Sequence, residues 1–136
     1  TRGSRASDRS SRLAERLEEF MGEAETPDQT RAVLAAMENA GRDDNSATVL
    51  TALTDPDEAT RTSAAKALRR MRGADVRQAL ASTLAGDASA EVRAAAARSL
   101  QRSARTDAEA RSALEAAAEN DASEDVRKAA SKALAR

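Results

Sequence analysis

The sequence predicts an all-α protein made of helical hairpins that stack side by side, and three observations support this prediction. A similar segment begins at Asp55, Asp87 and Asp121, so that the copies lie 32 and 34 residues apart. In each copy Thr or Val follows the Asp by five residues, Arg by six and Leu by thirteen. Repeats of this length are typical of stacked helical units, and the short segments between them suit antiparallel hairpins. No stretch alternates polar and apolar residues as a strand would.

Composition limits the classes of function. The 136 residues are enough for one domain with a continuous core. A third of the chain is charged but the formal net charge is −1, so only the distribution of charge can indicate a partner. Cys is absent, which excludes disulfides and thiolate metal sites. His and Trp are also absent, and Phe20 is the sole aromatic residue. No apolar run approaches the roughly 18–20 residues that span a bilayer.

The first hairpin is predicted over about residues 8–41, after a flexible leader of residues 1–7 that lacks a hydrophobic period. Its first helix should bury an apolar face formed by Leu13, Leu17, Phe20 and Met21. Its second helix should begin at Thr26-Pro27, because Thr is a favoured N-cap and Pro is tolerated in the first turn. The buried stripe of that helix should be Val33, Leu34, Met37 and Ala40. Gly41 can end it in a left-handed conformation.

Three further hairpins are predicted over about residues 43–72, 75–104 and 107–136. Asp57 should cap the second helix of the first of these, and Gly73 should end that helix. The inner positions of the three second helices are mostly small: Thr60, Ala64, Ala67 and Leu68; Val92, Ala96, Ser99 and Leu100; Val126, Ala130, Ala133 and Leu134. Small side chains let helices approach closely, so these faces are predicted to pack on one another.

The three copies resemble the short bacterial HEAT-like repeats, a kind that also occurs in phycobilin lyase subunits. The residues that carry the resemblance are Asp55, Pro56, Asp57, Arg61, Ala64, Ala65, Ala67 and Leu68; Asp87, Val92, Arg93, Ala96 and Leu100; Asp121, Val126, Arg127, Ala130 and Leu134. The resemblance covers residues 43–136 well and 8–41 loosely. It implies a right-handed α-solenoid of about four stacked hairpins that serves as a binding scaffold. Thr60 stands where the other copies have Val, so its hairpin is expected to pack less firmly.

The repeated Asp and Arg have two interpretations. Asp55/Arg61, Asp87/Arg93 and Asp121/Arg127 could be acid–base or ligand pairs. Alternatively, each Asp braces its own turn while each Arg bridges to the loop of a neighbouring repeat. The second interpretation is favoured, because a residue that recurs in every unit usually serves the stacking. HEAT-like proteins are similar in using such an inter-repeat ladder.

Two rows of basic residues are predicted on the side of the second helices that faces away from the core. The rows are Lys66, Arg98 and Lys132, and Arg70, Arg102 and Arg136. Acidic residues concentrate on the first helices and their flanks: Glu15, Glu18, Glu19, Glu23, Glu25, Asp43, Asp44, Glu109, Glu115 and Glu119. The resemblance places second helices on the concave side, which implies a basic groove with an acidic back. The basic rows are either solvated faces that complement helix dipoles or a groove for an acidic protein surface or a polyanion.

The leading hypothesis is a non-catalytic scaffold that binds another protein, or another region of a longer parent chain, without a cofactor or metal ion. Enzyme activity is not expected, because His, Cys and Tyr are absent and no Gly-rich phosphate loop or metal-ligand cluster appears. One alternative is a polyanion or nucleic-acid-binding module that uses the six basic residues, although no aromatic flanks them for base stacking. A further alternative is the helical segment of a lipid-carrying protein. The repeat array is expected to continue beyond residue 136, since no polar capping repeat follows Leu134.

Overall fold

The computed structural model describes residues 2–135, with side chains for residues 8–135, and every regular element in this part is helical. The helices are α1 (Arg2–Glu23), α2 (Pro27–Ala40), α3 (Ser46–Ala52), α4 (Glu58–Ala67), α5 (Ala74–Gly86), α6 (Ala90–Ser99), α7 (Ala108–Asn120) and α8 (Glu124–Leu134). Single 3₁₀ turns follow or precede them at Asp43–Asn45, Leu68–Arg70 and Ser103–Arg105. The predicted all-α fold is therefore confirmed.

Consecutive helices pair into four hairpins, and the hairpins stack in two layers. In one layer each second helix packs on the next, in the order α2, α4, α6 and α8. In the other layer α5 packs on α7 and, less extensively, on α3. The helices of each pair also pack on one another, so that the core lies between the layers and the whole is a helical solenoid.

Alanine lines the contacts within the second-helix layer, as the sequence pattern indicates. Ala64, Ala96 and Ala130 are fully buried at equivalent positions. Ser99 Oγ donates a hydrogen bond of 2.6 Å to the carbonyl oxygen of Ala65 on the neighbouring helix. A hydroxyl on a single methylene reaches across a helix pair only when the two backbones lie close together, near the short end of the usual 8–10 Å.

The large apolar side chains form one core that continues through all four hairpins. Those that are fully buried are Leu34, Met37, Val49, Leu68, Val76, Leu80, Leu84, Val92, Leu100, Leu114 and Val126. Leu134 is only partly buried against this core, unlike Leu68 and Leu100 at the corresponding positions.

The predicted helix ends are largely present. Thr26 caps α2 in a reciprocal arrangement with Gln29, and Asp57 caps α4 by accepting from the Thr60 backbone N–H. Gly41 ends α2 with a φ of 61°, a conformation that glycine adopts without penalty. Gly73 instead precedes α5 with a φ of 126°, because α4 tightens earlier into the 3₁₀ turn at residues 68–70.

α1 begins at Arg2, upstream of the predicted start near residue 8; Arg and Ala favour the helix and no proline interrupts it. The flexible leader of residues 1–7 stays a prediction. Thr1 lies outside the described residues. The predicted apolar stripe is also only half right: Ala14 and Leu17 are buried, whereas Leu13 and Phe20 are 48% and 45% exposed. The described neighbours of α1 cover a narrower face than the apolar pattern spans.

Candidate binding surface

The repeated Asp and Arg couple neighbouring hairpins. Arg61 Nε donates to Asp87 Oδ2 at 3.1 Å, and Arg93 donates to Asp121 through Nε at 3.0 Å and Nη2 at 3.1 Å. Both carboxylates are nearly buried. The predicted inter-repeat ladder is confirmed.

The same Asp residues also brace their own turns. The side chains of Asp55, Asp87 and Asp121 each accept from the backbone N–H two residues later, at 2.8–2.9 Å. Arg93 Nη1 and Arg127 Nη1 donate to the carbonyl oxygens of Asp87 and Asp121 at 2.8 and 2.7 Å. These contacts use the hydrogen-bonding capacity of the pairs in the architecture, which argues against a role in acid–base chemistry.

Two carboxyl groups in this set have shifted pKa values. Burial by itself would raise the pKa of Asp121, but hydrogen bonds from Arg93 and the Ser123 N–H, with the charges of Arg93 and Arg127, outweigh it and lower the pKa. The pKa of Asp57 is lowered chiefly by hydrogen bonds from the Thr60 hydroxyl and N–H, and further by Arg31. Both carboxylates are therefore held in the ionised form by the fold.

The first predicted basic row lies in a depression that crosses three helices. Lys66 of α4, Arg98 of α6 and Lys132 of α8 are exposed and line a space of about 610 Å³, which we call the trough. Ala90 and Ala94 of α6 line the trough between the longer side chains of α4 and α8. The concave side that the resemblance implies for the second helices stays a prediction.

The second row lies at one end of the trough. Arg70, Arg98 and Arg102 line a neighbouring space of about 360 Å³ together with Arg69 and Arg105, and no acidic side chain lines it. We call these five residues the arginine notch; it shares Arg98 with the trough. Arg136, the last residue of the predicted row, lies outside the described residues.

Acidic residues also enter the trough, so the predicted separation into a basic groove and an acidic back is incomplete. Glu91 and Asp125 line the trough beside Lys66, Arg98, Lys128 and Lys132. Both acids lie in the first turn of their helices, where a carboxylate is stabilised by the helix dipole, and Lys66, Arg98 and Lys132 lie in the last turns. The groove thus changes from mixed charge at the helix starts to purely positive charge at the helix ends.

Few of the groove cations are neutralised internally. Arg69 Nε pairs with Glu38 Oε2 at 2.9 Å and Lys128 with Glu124 at 3.1 Å. Among residues 8–135 the remaining basic residues of the trough and the notch make no ion pair: Lys66, Arg70, Arg98, Arg102, Arg105 and Lys132. The sequence did not single out Arg69 and Arg105, because neither stands at the repeat positions that define the two predicted basic rows.

The carboxylates of the described residues form no group of three or more that could hold a metal ion. None of the helices in the described part of the chain combines the length and apolar character needed to cross a membrane.

Comparison with protein families supports the architecture. A family model described as HEAT repeats matches residues 13–101, which include half of α1 and all of the helices from α2 to α6. Comparisons with curated proteins and with solved structures gave no significant match. The matched segment is well over half of the sequence, and the stacked hairpins and their Asp–Arg ladder agree with it. The chain belongs to the HEAT-repeat family.

Proposed function

We propose that this chain is a non-catalytic scaffold that binds another protein through the exposed face of its second helices. HEAT repeats generally act as protein-interaction scaffolds. The binding residues would be those of the two basic rows: Lys66, Arg70, Arg98, Arg102, Lys132 and Arg136.

One observation carries this proposal: two sets of basic residues recur in the repeats, and they are used differently. Arg61 and Arg93 each make two hydrogen bonds to an Asp of the next hairpin and a further bond to a carbonyl oxygen of their own turn. Lys66, Arg98 and Lys132 are exposed, and no carboxylate of the described residues pairs with them. Cations that form no ion pair within the described residues and line one trough are available to a ligand.

The mixed charge of the trough favours a polypeptide over a uniform polyanion. Glu91 and Asp125 would repel a phosphate backbone that crosses α6 and α8, whereas a polypeptide can place either sign of charge opposite each of them. Phe20, the sole aromatic residue, lies on α1 outside the groove, so base stacking has no platform there. Nucleic-acid binding therefore stays the alternative.

The more specific expectations about family type, origin and lipid carrying stay predictions. The phycobilin-lyase resemblance and a bacterial origin are finer than the family match, and nothing in the groove favours a lipid-carrying function.

Capture of partners by matched variants tests the proposal. The immobilised chain would be compared with a trough variant, Lys66→Glu/Arg98→Glu/Lys132→Glu, and with a control of equal charge change on α1, Arg9→Glu/Arg12→Glu/Arg16→Glu. We expect the wild type and the control to retain the same proteins from a nuclease-treated lysate, and the trough variant to lose them. Retention of those proteins by the trough variant would contradict the proposal. Retention that disappears on nuclease treatment would favour the nucleic-acid alternative.

A further inference from the structure

The arginine notch holds the densest charge of the described groove. Its guanidinium groups come from two segments: Arg69 and Arg70 in the 3₁₀ turn after α4, and Arg98, Arg102 and Arg105 at and beyond the end of α6. The space between the two segments is about 360 Å³ and open to solvent. Like charges that line one space of this size repel one another unless something compensates them.

Compensation within the protein is incomplete. The C-terminal ends of α4 and α6 each contribute about half a negative charge. Glu38 neutralises Arg69 at 2.9 Å. Against five guanidinium groups, these contributions leave an excess of about three positive charges by the same dipole argument. Helix dipoles alone therefore do not account for the notch, and the excess suits an external anion.

The excess charge and the number of donors suit a phosphate monoester better than a carboxylate. A phosphate monoester carries about −1.5 to −2 charges and has three acceptor oxygens, enough to offer acceptors to guanidinium groups of both segments. A carboxylate supplies a single charge and two oxygens in one plane. The notch also lacks an apolar or aromatic wall for a nucleobase, because Ser99 and Gln101 are the only other residues that line it.

The neighbouring trough favours a polypeptide as the carrier of the phosphate. A chain that leaves the notch by way of Arg98 enters the trough, which Glu91 and Asp125 also line. A polypeptide can oppose these carboxylates with Lys or Arg. We propose that the arginine notch binds a phosphoserine or phosphothreonine side chain of a protein partner whose chain continues across the trough. This inference rests on the proposed function and names the chemical group that the scaffold recognises.

A pair of peptide libraries tests the inference. Each library has degenerate positions around one fixed serine, phosphorylated in one library and unmodified in the other, and binding is measured by fluorescence anisotropy at near-physiological salt. We expect the phosphorylated library to bind at least about tenfold more tightly, since each hydrogen bond to a charged group contributes that order of discrimination. Inorganic phosphate and free phosphoserine, added as competitors, should displace it at high concentration.

Matched variants assign the binding to the notch. Arg102→Glu/Arg105→Glu changes two exposed residues without ion pairs among residues 8–135, and should weaken the phosphorylated library by at least about tenfold. Arg9→Glu/Arg12→Glu makes the same charge change on α1 and should leave the affinity within about twofold. Circular dichroism would verify that both variants are folded.

Three outcomes would overturn the inference. These are equal binding of the two libraries, unchanged binding by the notch variant, and tighter notch-dependent binding of a single-stranded oligonucleotide than of the phosphorylated library. The inference can also fail while the scaffold function stands. In that case the partners captured by the wild type would still be retained by the notch variant, and retained after phosphatase treatment of the lysate.

Discussion

The junction between the third and fourth hairpins differs from the junction between the first and second. At the former, Arg93 places two nitrogens on Asp121, whose carboxylate is only 8% exposed. At the latter, Arg31 makes one hydrogen bond of 3.0 Å to Asp57, which is 37% exposed, and also pairs with Asp28. The Arg93–Asp121 pair is thus bidentate and nearly buried, whereas the Arg31–Asp57 pair has one hydrogen bond and is more exposed to solvent.

The difference follows from which Asp of the turn pairs with the arginine of the preceding hairpin. In the later hairpins it is the Asp that braces the turn, whereas in the second hairpin it is Asp57, which caps the helix. In the later hairpins Ser89 and Ser123 cap the second helices, so Asp87 and Asp121 are left to brace the turn and receive the arginine fork. In the second hairpin Asp57 is itself the cap, and it also accepts from the Thr60 hydroxyl at 2.7 Å. A carboxylate already committed to its own helix has fewer lone pairs for a neighbouring repeat.

The first hairpin is held by another, irregular contact. Asn45 is fully buried, and its Nδ2 donates to the Ala14 carbonyl oxygen at 3.1 Å and to Glu18 Oε2 at 2.7 Å. Thr48 also donates to Glu18. This polar contact joins α1 to the second hairpin through residues that lie outside the repeated Asp–Arg pattern.

The largest expected effect tests the contrast in burial between Leu100, which is fully buried, and Leu13, which is half exposed. Leu100→Ala should lower the free energy of unfolding by about 2–5 kcal/mol, because the fully buried side chain leaves a cavity between the layers. Leu13→Ala on the half-exposed face of α1 should cost less than about 1 kcal/mol. Urea unfolding followed by circular dichroism measures both. A loss under about 1 kcal/mol for Leu100→Ala would show that the inner face is wrongly assigned.

The next effect tests the two ion pairs directly. Arg93→Ala should cost about 2–3 kcal/mol, because it leaves the nearly buried Asp121 carboxylate without its fork. Arg31→Ala should cost about 0.5–1 kcal/mol, as expected for a more exposed pair. Equal losses in urea unfolding would mean that the two junctions are energetically alike and that the comparison fails.

A smaller effect tests the irregular contact of α1. Asn45→Ala should cost about 1–2 kcal/mol, because the Ala14 carbonyl oxygen loses its side-chain donor and Glu18 loses one of two side-chain donors. Hydrogen exchange should show faster opening of α1 than of α6 in this variant. Uniformly faster exchange in all helices would indicate instead that Asn45 supports the whole stack.

The smallest effect concerns pH. The pKa values of Asp57 and Asp121 are lowered in the folded chain, so their contribution to stability is present above the unfolded value of about 3.9 and is lost as the pH falls through the folded values. The urea midpoint of the wild type should therefore fall with decreasing pH below about 4. The Asp121→Asn variant should have a lower urea midpoint than the wild type at neutral pH. Its midpoint should also decrease less than that of the wild type as the pH falls into the acid range. A parallel fall in the two proteins would contradict this role of Asp121.

The structural features that recur in every repeat could be predicted from the sequence. The spacing of Asp87, Arg93 and Leu100 is set by the turn and by one face of a helix, so it predicts the hairpins, the buried Leu and the ladder. Asn45 gave no signal, because a buried polar residue has no periodicity of its own. Leu13 was assigned to the core because an apolar pattern shows which side faces inward, but not how much of it a neighbour covers.

The candidate site was predictable in part for similar reasons. Lys66, Arg98 and Lys132 recur at one helical position, and the structure brings them into one trough, although their role in binding stays a prediction. Arg69 and Arg105 lie where the helix has tightened into a 3₁₀ turn, and their convergence depends on the stacking of two hairpins.

The alanines between the second helices also have a mechanical consequence. Each buries little apolar area, so tilting α6 slightly away from α4 exposes little surface and meets a small restoring force. The Arg–Asp forks hold the hairpins together at the turns, where they can act as pivots. We therefore expect the contact between α4 and α6 to open more readily than the leucine core beneath it, with the Ser99–Ala65 hydrogen bond opposing that opening.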